Sequence, residues 1–532
     1  MRSEKEPVKI VRMRFARTRL QHGIARLVLI VMCSLAANCS TGPVPRAPRG
    51  LDAIDHIIVI YAENRSFDNL YGLFPGANGL ANLTPEQYTQ IDRDGKPFDV
   101  LPPVWMELLQ KPKVDPSYPV SPPNKPFQID GPLVNRPLST ATRDLVHRYY
   151  QSIEQINGGK NNRFAAVSDA GGLVMGYYDG SKQKMWKWAQ DNTLADNFFM
   201  GAFGGSYLNH QWLVCACTPQ YPDAPPGLIA KVDNEGRLVR SPDSPAYAKD
   251  GPPKYVIDGP VTSEGYSVNT QQPFYQPSGI PPGEGASGIP PGEGNDSRKD
   301  RRFADPSKYP LPPQTQKTVG DTLSAKGISW AWYAGAWNLA LADGMQPPTA
   351  RRNVIYQATP GHDNFQPHHQ PFNYFARFAP GTADREEHLK DGEDFLKAID
   401  SGTLPQVAFY KPTGDLNEHP GYTDVLSGDE HLADILDHIR NSPLWARTAV
   451  IVAYDENGGF WDHVSPPKGD KWGPGTRIPA IIISPYAKHG YVDHTQYDTT
   501  SIIKFITKRY GLEALPGVRE SAGDLTNAFD LP

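Results

Sequence analysis

HIIVIYAEN, residues 56–64, decides how this chain is read: a β-branched apolar run that ends on an acid and an amide. Such a run between polar residues is the signature of a buried strand. TAVIVAYDEN, residues 448–457, repeats the pattern almost 400 positions later, with Asp455-Glu456 after the strand. Similar runs stand at 407–410, 478–484 and 329–333, while 143–155, 392–399, 431–440 and 499–510 carry apolar residues three and four apart. Buried strands alternating with amphipathic helices predict an α/β fold, with a mostly parallel sheet covered by helices on both faces. In such sheets the reactive groups gather at the carboxyl ends of the strands.

The 532 residues are 39% hydrophobic and include 10 Trp, 25 Tyr and 20 Phe, which is ample for a large core. Wholesale disorder and a polytopic membrane protein are excluded. Ten basic and two acidic residues fall in the first fifty positions, so the formal net charge of -5 conceals a body at -13. A body that acidic does not attract polyanions, and nucleic acid is not expected as a partner.

Arg12, Arg14, Arg17, Arg19 and Arg26 precede an apolar run from Leu27 to Ala37, the pattern of a secretory signal too short to span a bilayer stably. The expected organisation is a signal peptide at 1–38, a linker at 39–52 and a catalytic domain at 53–532, working in the periplasm or outside the cell. Cys39 stands where a lipoprotein carries its acylated cysteine, although Asn38 and Ala36 make a poor acylation signal. Membrane contact is therefore expected only transiently, or through a lipidated Cys39. Cys215 and Cys217 read as buried small residues rather than a bridge, since a disulfide across one residue is strained. A Pro/Gly-rich insertion covers 219–318, and within it SGIPPGEG at 278–285 recurs at 287–294. With no apolar face to bury, the duplication is expected to be a mobile loop.

Glu63-Asn64 and Asp455-Glu456 both follow buried strands, where they can converge on one rim. One such pair commonly just caps a turn; two matched pairs offer three carboxylates and an amide, a donor set suited to a divalent cation. In GAFGGSYLNH, residues 201–210, Ser206 follows two glycines at an expected helix start. There a hydroxyl is either a simple cap or a nucleophile among free N–H groups that favour phosphate. His368-His369, His419, and His147 on an expected helix could hold anionic oxygens or protonate a leaving alkoxide.

With INGGKNNRF at 156–164, NEHPGYTD at 417–424 and YDENGGFWDHVSPP at 454–467, these stretches resemble the bacterial phosphoesterase family. That family unites phosphocholine-type phospholipases C with acid phosphatases of the respiratory-burst-inhibiting type. The resemblance runs from about residue 55 to 511 and implies an alkaline-phosphatase-like core with long loop insertions. It implies a divalent metal cation, of identity left open, on Glu63, Asn64, Asp455, Glu456 and Ser206. Ser206 would be the nucleophile, with His368, His369 and His419 as further catalytic groups. The same histidines, with Asn64, His147 and Asn209, would surround the phosphate. The chain ends soon after Gly511, without the β-rich modules of larger phospholipases C, and the insertion exceeds what the family needs. The expectation is a secreted, metal-dependent acid phosphatase that hydrolyses phosphate monoesters through a phosphoserine. Alternatives are a phospholipase C cleaving phospholipid head groups, and a catalytically silent phosphate- or glycan-binding exoprotein.

Overall fold

The computed structural model describes residues 49–107, 112–283, 300–359 and 361–532. The expected signal peptide and Cys39 lie outside them. No described helix is long and apolar enough to cross a membrane.

Eight strands form the central sheet: β1 (His56–Ala62), β2 (Thr193–Ala195), β3 (Trp330–Ala334), β4 (Leu389–Asp391), β5 (Val407–Lys411), β6 (Thr448–Tyr454), β7 (Ala480–Ile483) and β8 (Tyr491–Asp493). Their order is β8-β2-β7-β6-β1-β5-β3-β4. Only β7 runs against the other seven, pairing antiparallel with both β6 and β2. β1 is central, in register with β5 on one side and β6 on the other, and its residues from Ile57 to Ala62 are all buried. Burial on both faces explains why these strands read as continuous apolar runs rather than alternating ones.

Helices cover both faces. α1 (Lys184–Asp191), α4 (Gly392–Ser401) and α5 (Val425–Asn441) pack together on one, while α2 (Ser206–Cys215), α3 (Val319–Ala325) and α6 (Thr499–Tyr510) form the other layer. Side chains of opposite parity on β3 show the division: Trp330 lies against Gly320 of α3, and Tyr333 packs on Phe395 of α4. α6 has the bounds its sequence predicts, because Asp498 caps its first turn and Gly511 takes the left-handed conformation that ends it.

Four expectations change. Within 143–155 the chain is helical only from Tyr149 onward; Leu145 is buried outside any helix, so its apolar spacing is not a helix face. Cys215 and Cys217 are joined as a disulfide. Ala216 takes a left-handed conformation at the end of α2, and this brings the two Cα atoms to 5.1 Å. The described part of the first repeat copy is docked rather than mobile: its Ser278 is fully buried and donates its N–H to the Gln276 side chain. Polar side-chain and backbone hydrogen bonds hold it where an apolar face is lacking. The second copy lies outside the described residues. The fold also begins before the expected linker ends, since Gly50–Ala53 forms a 3-10 turn tied to Pro532.

Candidate active site

The site lies beyond the carboxyl ends of β1, β5 and β6. Directly after β1, Asn64 adopts a left-handed backbone with φ 64°, a conformation asparagine tolerates better than most residues. Its N–H donates to Asp455 Oδ1 at 3.1 Å, which locks the two turns together. Gly458 makes this approach possible, because a Cβ there would meet the Asn64 carbonyl oxygen at 2.2 Å. The turn at Gly458 and Gly459 also lets neighbouring Asp455 and Glu456 serve one site, although adjacent strand residues face opposite ways.

Ser206 opens α2. Its Oγ lies 3.0 Å from Asn64 Oδ1 and 3.3 Å from Glu456 Oε1. Asp455 Oδ1 accepts from the N–H groups of Asn64 and Glu456, whereas its Oδ2 is buried without a hydrogen-bond partner. Burial pushes the carboxyl of Asp455 up to about 7 and that of Glu456 up to about 8, since each is sealed from water beside other acids. Oxygen donors gathered on one hydroxyl, with a buried carboxylate oxygen left over, fit a hard divalent cation. Asn64, Asp455, Glu456 and Ser206 would hold it.

Glu63 is more occupied. His369 Nε2 at 2.6 Å and Lys411 Nζ at 2.8 Å flank its Oε1, while Asn417 and the Tyr422 hydroxyl donate to Oε2. Burial alone would raise its pKa, but His369 and Lys411 hold it well below the usual carboxylate range. Glu63 still lies close enough to share an ion with His210 and Asp455, all three ligand atoms falling within 4.8 Å of one another.

The histidines divide into two groups. His368 and His369 end a short 3-10 turn and pack with His210 of α2, which the sequence reading missed. Burial keeps His210 and His368 well below the ordinary imidazole value and lowers His369 to about 4. On the other side, the ring of His419 meets that of His147 at 5.7 Å and stacks on Tyr422. His147 is not on a helix, contrary to expectation; it precedes α-helical chain by two residues, and its Nε2 lies 3.7 Å from Glu456 Oε1. Burial would lower its pKa, but Glu456 and Asp144 raise it to about 9. Asn209, expected at the phosphate, instead binds the glycine turn: it accepts from Ala202 N and donates to the carbonyls of Ala202, Gly204 and Gly205. It shapes the approach to Ser206.

His210 had a signal, four residues beyond Ser206 on the same helix face; its Nδ1 lies 2.7 Å from the Ser206 carbonyl. Lys411 had none, being one cation at the end of an apolar strand.

A second buried cluster braces both turns. The Arg477 guanidinium donates to Asp68 Oδ1 at 2.9 Å and to both oxygens of Asp462 at 3.1 and 3.2 Å. It also reaches the carbonyls of Asn78 and Asp196, and it lies over the ring of Phe67. Asp68 Oδ2 takes the His463 side chain at 2.7 Å, and Asp462 Oδ2 accepts from the Asp68 N–H. The guanidinium fills the centre of this acid–histidine group, so it is not a second cation site. It fastens the stretch after Asn64 to the stretch after Glu456.

The sequence profile of the Phosphoesterase family matches residues 54–513. The non-hemolytic phospholipase C of Pseudomonas aeruginosa is 33% identical over 165 residues, so the chain spans only 24% of that relative's length and 24% of its own. Phospholipase C B of Mycobacterium tuberculosis is 24% identical over 522 residues, covering 91% of this chain and 79% of the relative. A protein in the alkaline phosphatase superfamily from Vibrio parahaemolyticus overlays with a TM-score of 0.32 at 10% identity, over 73% of this chain and 71% of that one.

Proposed function

The chain belongs to the Phosphoesterase family and is a phosphoric ester hydrolase, and from that premise we propose that it transfers the phosphoryl group to Ser206 and then to water. The observation that carries this is the Ser206 hydroxyl, at the start of α2 and within 3.3 Å of both Asn64 Oδ1 and Glu456 Oε1. A divalent cation on Asn64, Asp455, Glu456 and Ser206 would favour the serine alkoxide and offset charge on the phosphoryl oxygens. Ser206, its proton released to solvent, attacks phosphorus in line as the ester P–O bond to the alcohol breaks. Asn64 and the free N–H groups at the start of α2 receive the equatorial oxygens, where charge spreads in the transition state. His147, charged and at the rim, donates a proton to the departing alcohol. His368 and His369 orient the phosphate and Glu63, and His419 buttresses His147.

We favour phospholipase C-type cleavage of a diester, which agrees with the names of the relatives. Acid phosphatase activity is the same chemistry on a singly charged monoester. Work outside the cytoplasm is supported by the arginine-led apolar run and by the Cys215–Cys217 disulfide.

The test compares p-nitrophenyl phosphate, its phosphocholine ester and phosphatidylcholine vesicles, using chelator-treated protein resupplied with magnesium, calcium, manganese or zinc. Diester turnover exceeding monoester turnover is expected. Monoester turnover alone, in acid, would make the protein an acid phosphatase. No turnover of any substrate with any metal would leave a silent binding protein and refute the proposal.

A further inference from the structure

A cavity of about 460 Å³ lies where the helix Tyr149–Ile156 meets the insertion, and none of its lining residues belongs to the site around Ser206. Arg93, Arg163, Arg237 and Arg240 line it, against two lining carboxylates, Glu154 and Asp233. Such a concentration of positive charge stands out in an otherwise acidic body.

The four guanidinium groups are not equally satisfied. Arg237 lies at the exposed rim and pairs with Asp233 at 3.2 Å and Glu235 at 2.8 Å. The other three share one lining carboxylate. Glu154 takes Arg240 Nη2 at 2.9 and 3.0 Å and lies 3.7 Å from Arg163 Nη1. Arg93 donates only to backbone carbonyls, those of Ala166 at 2.9 Å, Pro245 at 2.7 Å and Gly251 at 2.8 Å. Asp92 beside it accepts from the backbone N–H groups of Arg93 and Ala248. Burial and the charge of Arg240 lower Arg93 to about 10, as expected of cations held too close together. Arg163 Nε and Arg240 Nη1 are buried and, among the described residues, have no hydrogen-bond partner. Leaving buried donors of charged groups unmatched is costly. The Arg240 guanidinium also lies over the Tyr255 ring at 4.6 Å, which steadies it without neutralising it.

We propose that this cavity is a second binding site, separate from the reaction centre, for a terminal phosphate group on a soluble ion or ester or on a lipid head. Arg163 and Arg240 supply the free donors, and Arg93 supplies charge that no lining acid offsets. Guanidinium forks suit a tetrahedral oxyanion, which accepts several N–H groups at once. Phosphate is the oxyanion at hand, because a phosphatase releases it free and a phospholipase C releases it as a monoester. The volume exceeds the about 300 Å³ at which ligand pockets begin, so a phosphate with a small substituent fits. The site does not depend on the role given to Ser206. It gives the insertion, which supplies Arg237 and Arg240, a part in binding.

The test is phosphate binding by metal-free protein dialysed clear of chelator, in which the site around Ser206 lacks its cation and the arginines are untouched. Calorimetric titration with inorganic phosphate compares wild type with two variants. Arg240→Gln removes the free donor, and Ala246→Trp fills the cavity from an exposed lining position while keeping every arginine. Wild type is expected to bind phosphate and to melt at a higher temperature with it. Both variants should bind at least about tenfold more weakly, the worth of a lost charged hydrogen bond. Turnover of p-nitrophenyl phosphate or its phosphocholine ester by the metal-loaded variants should stay within about twofold of wild type, which separates this site from the reaction centre. Cosedimentation with phosphatidylcholine vesicles, with and without phosphatidic acid, distinguishes the sources. Retention that needs phosphatidic acid and is lost in Arg240→Gln assigns a lipid phosphate, and calorimetric binding without such retention assigns a soluble one. Wild type that binds neither phosphate nor phosphatidic acid vesicles, or binding that either folded variant keeps, would overturn the site.

Discussion

Replacing Arg477 by methionine would keep much of its volume and remove the charge that two buried carboxylates share. Asp68 and Asp462 are 2% and 0% exposed, so neither can turn to water when the guanidinium is gone. Burial already lifts Asp462 to about 6 with Arg477 beside it, and without Arg477 the pair would take up a proton at neutral pH. Breaking a buried pair by removing one partner costs about 3–5 kcal/mol. Two stranded acids and two lost carbonyl partners place this variant near the upper end. A unit of about 480 residues unfolds with an entropy of about 1 kcal/mol/K, so the melting temperature should fall by about 3–5 °C. Because the cluster joins the turns after Asn64 and Glu456, metal affinity should fall as well, by about 10–100-fold as for a lost outer partner of a metal ligand. Arg477→Lys, which keeps charge but cannot fork to both acids, should fall between. Scanning calorimetry in chelator and a metal titration of activity measure the two effects. A methionine variant that melts within a degree of wild type, at unchanged metal requirement, would show that the cluster braces nothing.

Ser206→Ala should preserve the melting temperature and reduce turnover by at least about a thousandfold, and mass spectrometry should find no phosphorylated intermediate; retention of a tenth of the activity would remove Ser206 from its role. Asp455→Asn should raise the metal concentration needed for activity and be partly rescued by excess metal, with the chelator-treated protein as stable as wild type or more so, because carboxylate repulsion is relieved. An unchanged metal titration would make Asp455 a turn residue. Glu418 is fully buried, accepts from the Tyr454 hydroxyl and is raised by burial to about 8 from an ordinary 4.5. The folded chain therefore holds an extra proton between those values, and stability is greatest below 4.5 and declines as pH rises toward 8, by at most about 1.4 kcal/mol per unit. Glu418→Gln, fixed in the neutral shape, should flatten that part of a melting-temperature profile, and an unchanged slope would refute the assignment.

What the sequence could tell was set by how locally each feature is encoded. β1 and β6 were legible because a strand buried on both faces must be apolar throughout, and α6 because its cap and its terminating glycine adjoin it. β2, β4 and β8 have three residues each, too few for any periodicity to register. The two acidic pairs could be seen at strand ends, but the Lys411–Glu63 contact joins positions 348 apart, and nothing near either residue announces it. The His147 segment misled because buried chain outside a helix can imitate helical spacing. The repeat misled because docking through side-chain-to-backbone hydrogen bonds leaves no trace in hydropathy.

The central position of β1 also fixes when the molecule can take shape. It is the first strand to be made, yet its partners β5 and β6 follow about 350 and 390 residues later. At about 5–20 residues per second, a ribosome needs roughly 20–80 s to supply them. Through that interval this apolar strand has no partner edge from β5 or β6, and the sheet cannot close one hairpin at a time. Completion of the core must therefore wait until most of the chain has been synthesised. Until then, the waiting strand depends on something else to keep it from its counterparts on other nascent chains.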